Sequence, residues 1–137
     1  MPLKLDPTTR LILVLGLAAG ASTLAARTID PLVGVLAAEF QVSAASVALL
    51  GTAYALPYAI VQPVLGPIGD AMGKQRTIRV CLLALVLSLV LSTLASDLGG
   101  VAVMRALAGI ASGGIFPLCI ASVSYTHLRA HETKANL

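Results

Sequence analysis

Gly66-Pro-Ile-Gly-Asp-Ala-Met-Gly-Lys-Gln-Arg76 is a short, basic, glycine-punctuated run set between two long apolar segments. Such a run predicts a tight turn, with Gly69 and Gly73 supplying the positive φ that a Cβ would penalise. It also carries one carboxylate, Asp70, beside the cations Lys74 and Arg76. Charge beside hydrocarbon is costly, so a charged cluster fixed at a membrane face points to a mechanical or functional role. Working outward, the chain divides into four apolar spans at about residues 11–36, 45–66, 77–95 and 101–123. Each comes close to or exceeds the ~20 helical residues that cross a hydrocarbon core of ~30 Å.

Composition argues the same way. Hydrophobic residues make up 58% of the chain and charged residues 11%, with a mean hydropathy of +0.95. Soluble domains carry about 25% charge. The segments are apolar nearly all round, which a solvated helix is not. Trp is absent and aromatics are 4%, so the interfacial belt is thin. Lys4 and Arg10 ahead of an apolar run also suit a secretory leader, but this run outlasts the ~7–15 residues of such a segment.

Cations set the expected orientation. Lys4 and Arg10 precede the first span, and Lys74, Arg76 and Arg79 surround the second connection. The other two connections hold Glu39 and Asp97 and no Lys or Arg. Short Lys/Arg-rich loops stay inside, so the N-terminus and the 66–79 connection are expected in the cytoplasm. The net charge of +3 thus reports topology. No basic stripe interleaved with aromatics suggests nucleic acid as a partner.

Polar residues within the spans are the candidate pathway. Arg27 and Asp30 stand three apart on one face near the outer end of the first span. They form either a neutralised interfacial pair or a pathway pair, in which Asp30 takes and releases a proton while Arg27 sets its pKa or holds an anionic substrate. Pro31 weakens helical bonding beside them. On the second span Gly51, Tyr54, Tyr58 and Gln62 share a face, as cavity lining or as interhelical hydrogen bonding. Pro57, Pro63 and Pro67 are expected to bend this helix or end it. On the fourth span Arg105, Gly109 and Gly113 recur every four residues, with Gly114 adjacent. The glycines suit close helix packing, whereas Arg105 lies about one turn inside the outer boundary and asks for a role.

Two of these motifs resemble signatures of the major facilitator superfamily. Residues 66–76 are similar to G-x-L-(A/G)-D-x-x-G-(R/K)-x-R, matching at Gly66, Ile68, Gly69, Asp70, Gly73, Lys74 and Arg76 and departing at Ala71 and Gln75. Arg105-Ala-Leu-Ala-Gly109-Ile-Ala-Ser-Gly113 resembles the fourth-helix pattern R-x-x-x-G-x-x-x-G, which that family associates with proton coupling. Asp30-Pro31 and Ala-Glu-Phe-Gln-Val-Ser43 look like the sugar- and drug-efflux branches. The resemblance covers about residues 8–122. It implies an all-α integral membrane fold, these four transmembrane helices being part of the N-terminal six-helix half of a twelve-helix transporter. The implied activity is proton-coupled efflux of a small-molecule substrate by alternating access, without a cofactor. The implied location is the plasma membrane, a bacterial inner membrane, with the lipid bilayer and the missing C-terminal half as partners. In the family, the carboxylate corresponding to Asp70 engages a helix end of the other half and helps hold the outward-facing state. A helix N-terminus, carrying about half a positive charge, suits that contact.

From about Val123 the chain turns polar without an apolar period. Ser124–Thr133 resembles translated adapter sequence, so residues 1–122 are expected to be native and 123–137 a non-native tail on a truncated product. His127, His131 and Glu132 lack a further ligand and make no metal site by spacing. Cys81 and Cys119 lie inside spans, outside any Cys-x-x-Cys pattern. No nucleophile-elbow or phosphate-loop pattern supports an enzyme. The competing readings are a membrane scaffold whose glycine faces serve packing alone, and a complete four-helix small multidrug transporter. The latter relies on an embedded Glu in its first helix, where this chain has Asp30.

Overall fold

Residues 6–122 are described by a computed structural model, and nearly all of them are helical. Helix α1 spans Pro7–Arg27, with Pro7 in the first turn, where a missing N–H costs no helical bond. It stops because Pro31 has no N–H for the Arg27 carbonyl, and its ring would clash there. Asp30–Leu32 form a 3-10 turn closed by Leu32 N donating to Ile29 O at 2.9 Å, and α2 follows over Val33–Glu39. The first span, expected as one helix over 11–36, is therefore two helices with a corner at the Arg27–Asp30 pair. Gln41 at φ 52 ends α2, and Val42 N reaches back to Ala37 O at 3.0 Å. That bond is the outer closure of a Schellman turn with Gln in the position glycine usually takes.

Helix α3 spans Ala44–Met72 and starts on Ser43, whose Oγ accepts from Ser46 N at 3.1 Å. It runs through Pro57, Pro63 and Pro67 to Met72, so the expected end near residue 66 is corrected by about two turns. Each proline removes one helical bond, yet leaving the helix in a lipid environment would strip several backbone groups of partners. At 29 residues α3 is about 44 Å long, more than the ~30 Å hydrocarbon core, so one end projects beyond it. Helix α4 begins at once with Lys74 and runs to Ser92.

The expected 66–76 loop thus shrinks to Gly73 alone, at φ 92 and ψ 121, a backbone conformation that a Cβ makes costly. Gly66, Gly69 and Asp70 lie within α3, and Arg76 lies within α4. Gly69 provides no turn. It is buried, and a methyl there would overlap the end of the Leu118 side chain.

Helix α5 spans Leu98–Gly113, capped by Asp97, whose Oδ1 accepts from Gly100 N at 3.0 Å. A turn at Gly114 follows, and residues 115–122 are again helical. Pro117 leaves the Gly113 carbonyl without its helical donor, which accounts for the irregularity. α5 lies at the centre, packed along α3 and α4 and touching α1. Three glycines permit the α3 contact. A Cβ on Gly109 would overlap the Tyr54 carbonyl oxygen, one on Gly113 would stand 2.9 Å from the Tyr58 oxygen, and one on Gly114 2.7 Å from Leu65 Cδ1. The main apolar core gathers residues such as Leu15, Ile78, Leu85, Ala108 and Ile115 from α1, α4, α5 and the segment after it. A smaller cluster of Ile29, Val47, Leu50 and Val101 closes the opposite end.

The outward faces are greasy, with Leu17 and Leu24 each 74% exposed and Leu83 71% exposed. Among the described residues four helical stretches are long and apolar enough to cross a membrane: Thr8–Glu39, Ala44–Met72, Lys74–Ser92 and Leu98–Ser122. The residues from 123 onward, including the expected non-native tail and the His127–His131 pair, lie outside the described residues.

The α3–α5 seam gives a direct test. Gly109→Ala should cost about 1–3 kcal/mol, because the methyl meets backbone that cannot rotate away. Gly20→Ala, which points into open space, should not destabilise; unfolding of both variants in mixed micelles measures the difference.

Candidate functional site

Arg105 is 2% exposed, with its guanidinium turned into the bundle and not drawn out to the interface. Nη1 donates to Ala25 O at 2.7 Å and Nη2 to Ala26 O at 3.0 Å. Both carbonyls belong to the last turn of α1, where helical geometry leaves acceptors without N–H partners. The negative end of the helix dipole sits there too, so a cation is favoured twice over. The guanidinium carbon lies 4.6 Å from the centre of the Tyr54 ring, a cation–π contact. Among the described residues, Arg105 Nε is the buried side-chain nitrogen left without a partner.

Tyr54 is 3% exposed and joins three helices. Its hydroxyl lies 3.3 Å from Ser22 O of α1 and is hydrogen-bonded to Ser112 Oγ of α5. Ser112 Oγ also reaches Gly109 O at 3.4 Å. One hydroxyl carries one proton, so two arrangements are open: Ser112 donates to Tyr54 while Tyr54 donates to Ser22, or Tyr54 donates to Ser112 while Ser112 donates to Gly109. Tyr58 stacks on Tyr54 with centroids 6.1 Å apart and planes 16° from parallel.

A cavity of about 510 Å³ opens beside this cluster, lined by Arg27, Asp30, Gly51, Tyr54, Tyr58 and Phe116 together with parts of α1. Arg27 Nη1 pairs with Asp30 Oδ2 at 3.4 Å, with side chains 79% and 61% exposed. The structure therefore brings Arg27, Asp30, Tyr54 and Tyr58 to one cavity, with Arg105 beside it in contact with Tyr54. Gln62 is half-buried and does not line that cavity. Gly66, Gly69, Asp70, Gly73, Lys74 and Arg76 are grouped at the other end of the bundle, around the α3–α4 corner. Asp70 Oδ1 stands 3.4 Å from Lys74 Nζ, the pair spanning Gly73.

Ser22 and Ser112 were missed from sequence. Ser112 had a usable signal, since it falls seven residues after Arg105 and so returns to the same helix face. Ser22 contributes its backbone carbonyl, which no side-chain pattern announces. Cys81 and Cys119 are free and buried. Among the described residues no group of three or more His, Cys, Asp or Glu side chains gathers as metal ligands.

Arg105→Lys isolates the double contact. An ammonium lacks the planar fork that meets two carbonyls at once, so the loss should be about 1.5–3 kcal/mol, one charged hydrogen bond. Amide exchange at residues 28–33 should rise in this variant and stay unchanged in Arg27→Lys, whose side chain is exposed.

Residues 15–136 match the family model of the Major Facilitator Superfamily. No curated protein and no solved structure matches the chain. The family match begins inside α1, takes in α2 to α5, and covers far more than half of the 137 residues. With four spans of membrane-crossing length and outward-facing apolar surfaces, the chain belongs to the Major Facilitator Superfamily and is a multi-pass membrane protein of a transporter family.

Proposed function

We propose that this chain forms one wall of the solute pathway in a secondary transporter that exports a small molecule in exchange for protons by alternating access. The observation that carries the reading is the polar cavity of Arg27, Asp30, Tyr54 and Tyr58 set against a buried Arg105. Tyr54 and Arg105 also tie α1 to α3 and α5, but the exposed Arg27–Asp30 pair at the same cavity makes no interhelical contact of that kind. A cavity of about 510 Å³ is within the ~300–1,000 Å³ of small-molecule sites.

In this reading Asp30 is the proton carrier. Its pair with Arg27 is exposed and is worth no more than about 1 kcal/mol, so exchange of partner costs little. Asp30 stands three residues past the end of α1, the end that Arg105 holds through Ala25 and Ala26. Proton binding thereby acts on the corner between α1 and α2. Tyr58, which stacks on the buried Tyr54, offers a phenol to a substrate with both apolar and polar surface. The facing wall comes from a second set of helices, as the family's two-half plan implies.

The Asp70–Lys74 pair serves the conformational switch. Asp70 is 69% exposed, so it is free to turn toward the positive end of a helix in the opposite half. Lys74, Arg76 and Arg79 beside it, with Arg10 at the start of α1, favour a cytoplasmic location for this end and for the N-terminus. The plasma membrane, a bacterial inner membrane, is the compartment we infer.

Two variants separate the roles in the complete transporter. Asp30→Asn should abolish flux driven by a pH gradient while membrane insertion stays normal; an unaltered pH dependence in vesicles removes Asp30 from coupling. Asp70→Asn should lower flux with substrate binding intact, and full activity in that variant would end the switch assignment.

A further inference from the structure

A second cavity, of about 610 Å³, lies between α1 and α4, away from the Arg105 cluster. Its polar lining consists of Arg10, Gln75 and Arg79. The rest is apolar, with Leu15, Ala18 and Ile78 forming a floor that is no more than 7% exposed.

The two helices contribute in the same order. On α1 the lining residues run Arg10, Leu11, Val14, Leu15 and Ala18, the spacing of one helical face. On α4 they run Gln75, Ile78, Arg79 and Leu82, again one face. Both stripes are polar in the first turns and apolar deeper in. The groove is therefore amphiphilic along its length, with two guanidinium groups at the mouth and hydrocarbon below. Its apolar part, Leu11 to Ala18 on α1, covers about 12 Å of helix, within the ~15 Å depth of one leaflet. Among the described residues no carboxylate lines it.

We propose that this groove binds an anionic phospholipid, with the phosphate at Arg10 and Arg79 and one acyl chain along Val14, Ala18 and Leu82. Arginine suits the headgroup because its planar fork donates two parallel hydrogen bonds to phosphate oxygens. Gln75 supplies an uncharged donor between the two cations. Charge complementarity selects an anionic lipid over a zwitterionic one, since the mouth has positive charge and nothing to meet a choline. The assignment is independent of the transport cycle proposed above.

The test uses the purified 137-residue chain in a mild non-ionic detergent, with phosphatidylglycerol or phosphatidylcholine added, read by native mass spectrometry and thermal unfolding. One phosphatidylglycerol should be retained per monomer and raise the unfolding temperature; phosphatidylcholine should do neither. Arg10→Gln and Arg79→Gln should each weaken retention about fivefold, the effect of one cation near an anionic lipid surface. Arg76→Gln, an exposed cation of α4 outside the groove, should leave retention unchanged. Val14→Trp should block the chain and abolish retention with helix content intact, because Val14 is 55% exposed. Equal losses in Arg76→Gln and Arg79→Gln would reduce the effect to diffuse attraction and overturn the site. Equal protection by inorganic phosphate would overturn the lipid assignment. So would a dimer that dissociates in Arg10→Gln, since a second copy would then be the occupant.

Discussion

A guanidinium buried among four apolar helices has to be compensated, and the rest of the bundle is arranged around that requirement. Placing an arginine at the centre of a membrane helix costs about 2.5–3.5 kcal/mol by insertion scales. Two charged hydrogen bonds, each worth about 1.5–3 kcal/mol, offset that cost without help from solvent. They are available because α1 stops at Arg27 and leaves acceptors at Ala25 and Ala26. The stop is caused by Pro31, so a proline on the first span makes possible the burial of a cation on the last. Sequence-distant features are thus one device.

The glycines of α5 have a second consequence beyond close packing. With a side chain at Gly109 or Gly113, α5 would stand off from α3, and Ser112 between them would lose the Tyr54 hydroxyl. The same seam that joins the helices also positions the polar cluster. A scaffold built for cohesion needs the first effect only. The Tyr54–Ser112 bond and the Arg105–Tyr54 contact turn that seam into a site.

Much of this was legible in the sequence. Hydropathy gave four crossings, and helical spacing put Tyr54 with Tyr58 and Arg105 with Gly109 on shared faces. Two things were misread. The 66–76 stretch looked like a loop because it is rich in glycine, proline and charge, all strong signals in water. The helix nevertheless persists through Pro67 to Met72, and Gly73 alone makes the turn. The first span looked continuous because hydropathy is blind to a corner, although Pro31 marked it. Partners made by backbone carbonyls, such as Ala25, Ala26 and Ser22, leave no trace in side-chain identity, so the destination of Arg105 was hidden.

The α3–α4 junction has only Gly73 outside the two helices, whereas residues 40–43 and 93–97 give slack at the far end. The Asp70–Lys74 pair spans that junction. Two rods tied at one point cannot slide past each other; they can only splay. Relative motion of α3 and α4 therefore has its fulcrum at Gly73, and any widening is largest at the opposite mouth, where the connecting segments are long enough to yield.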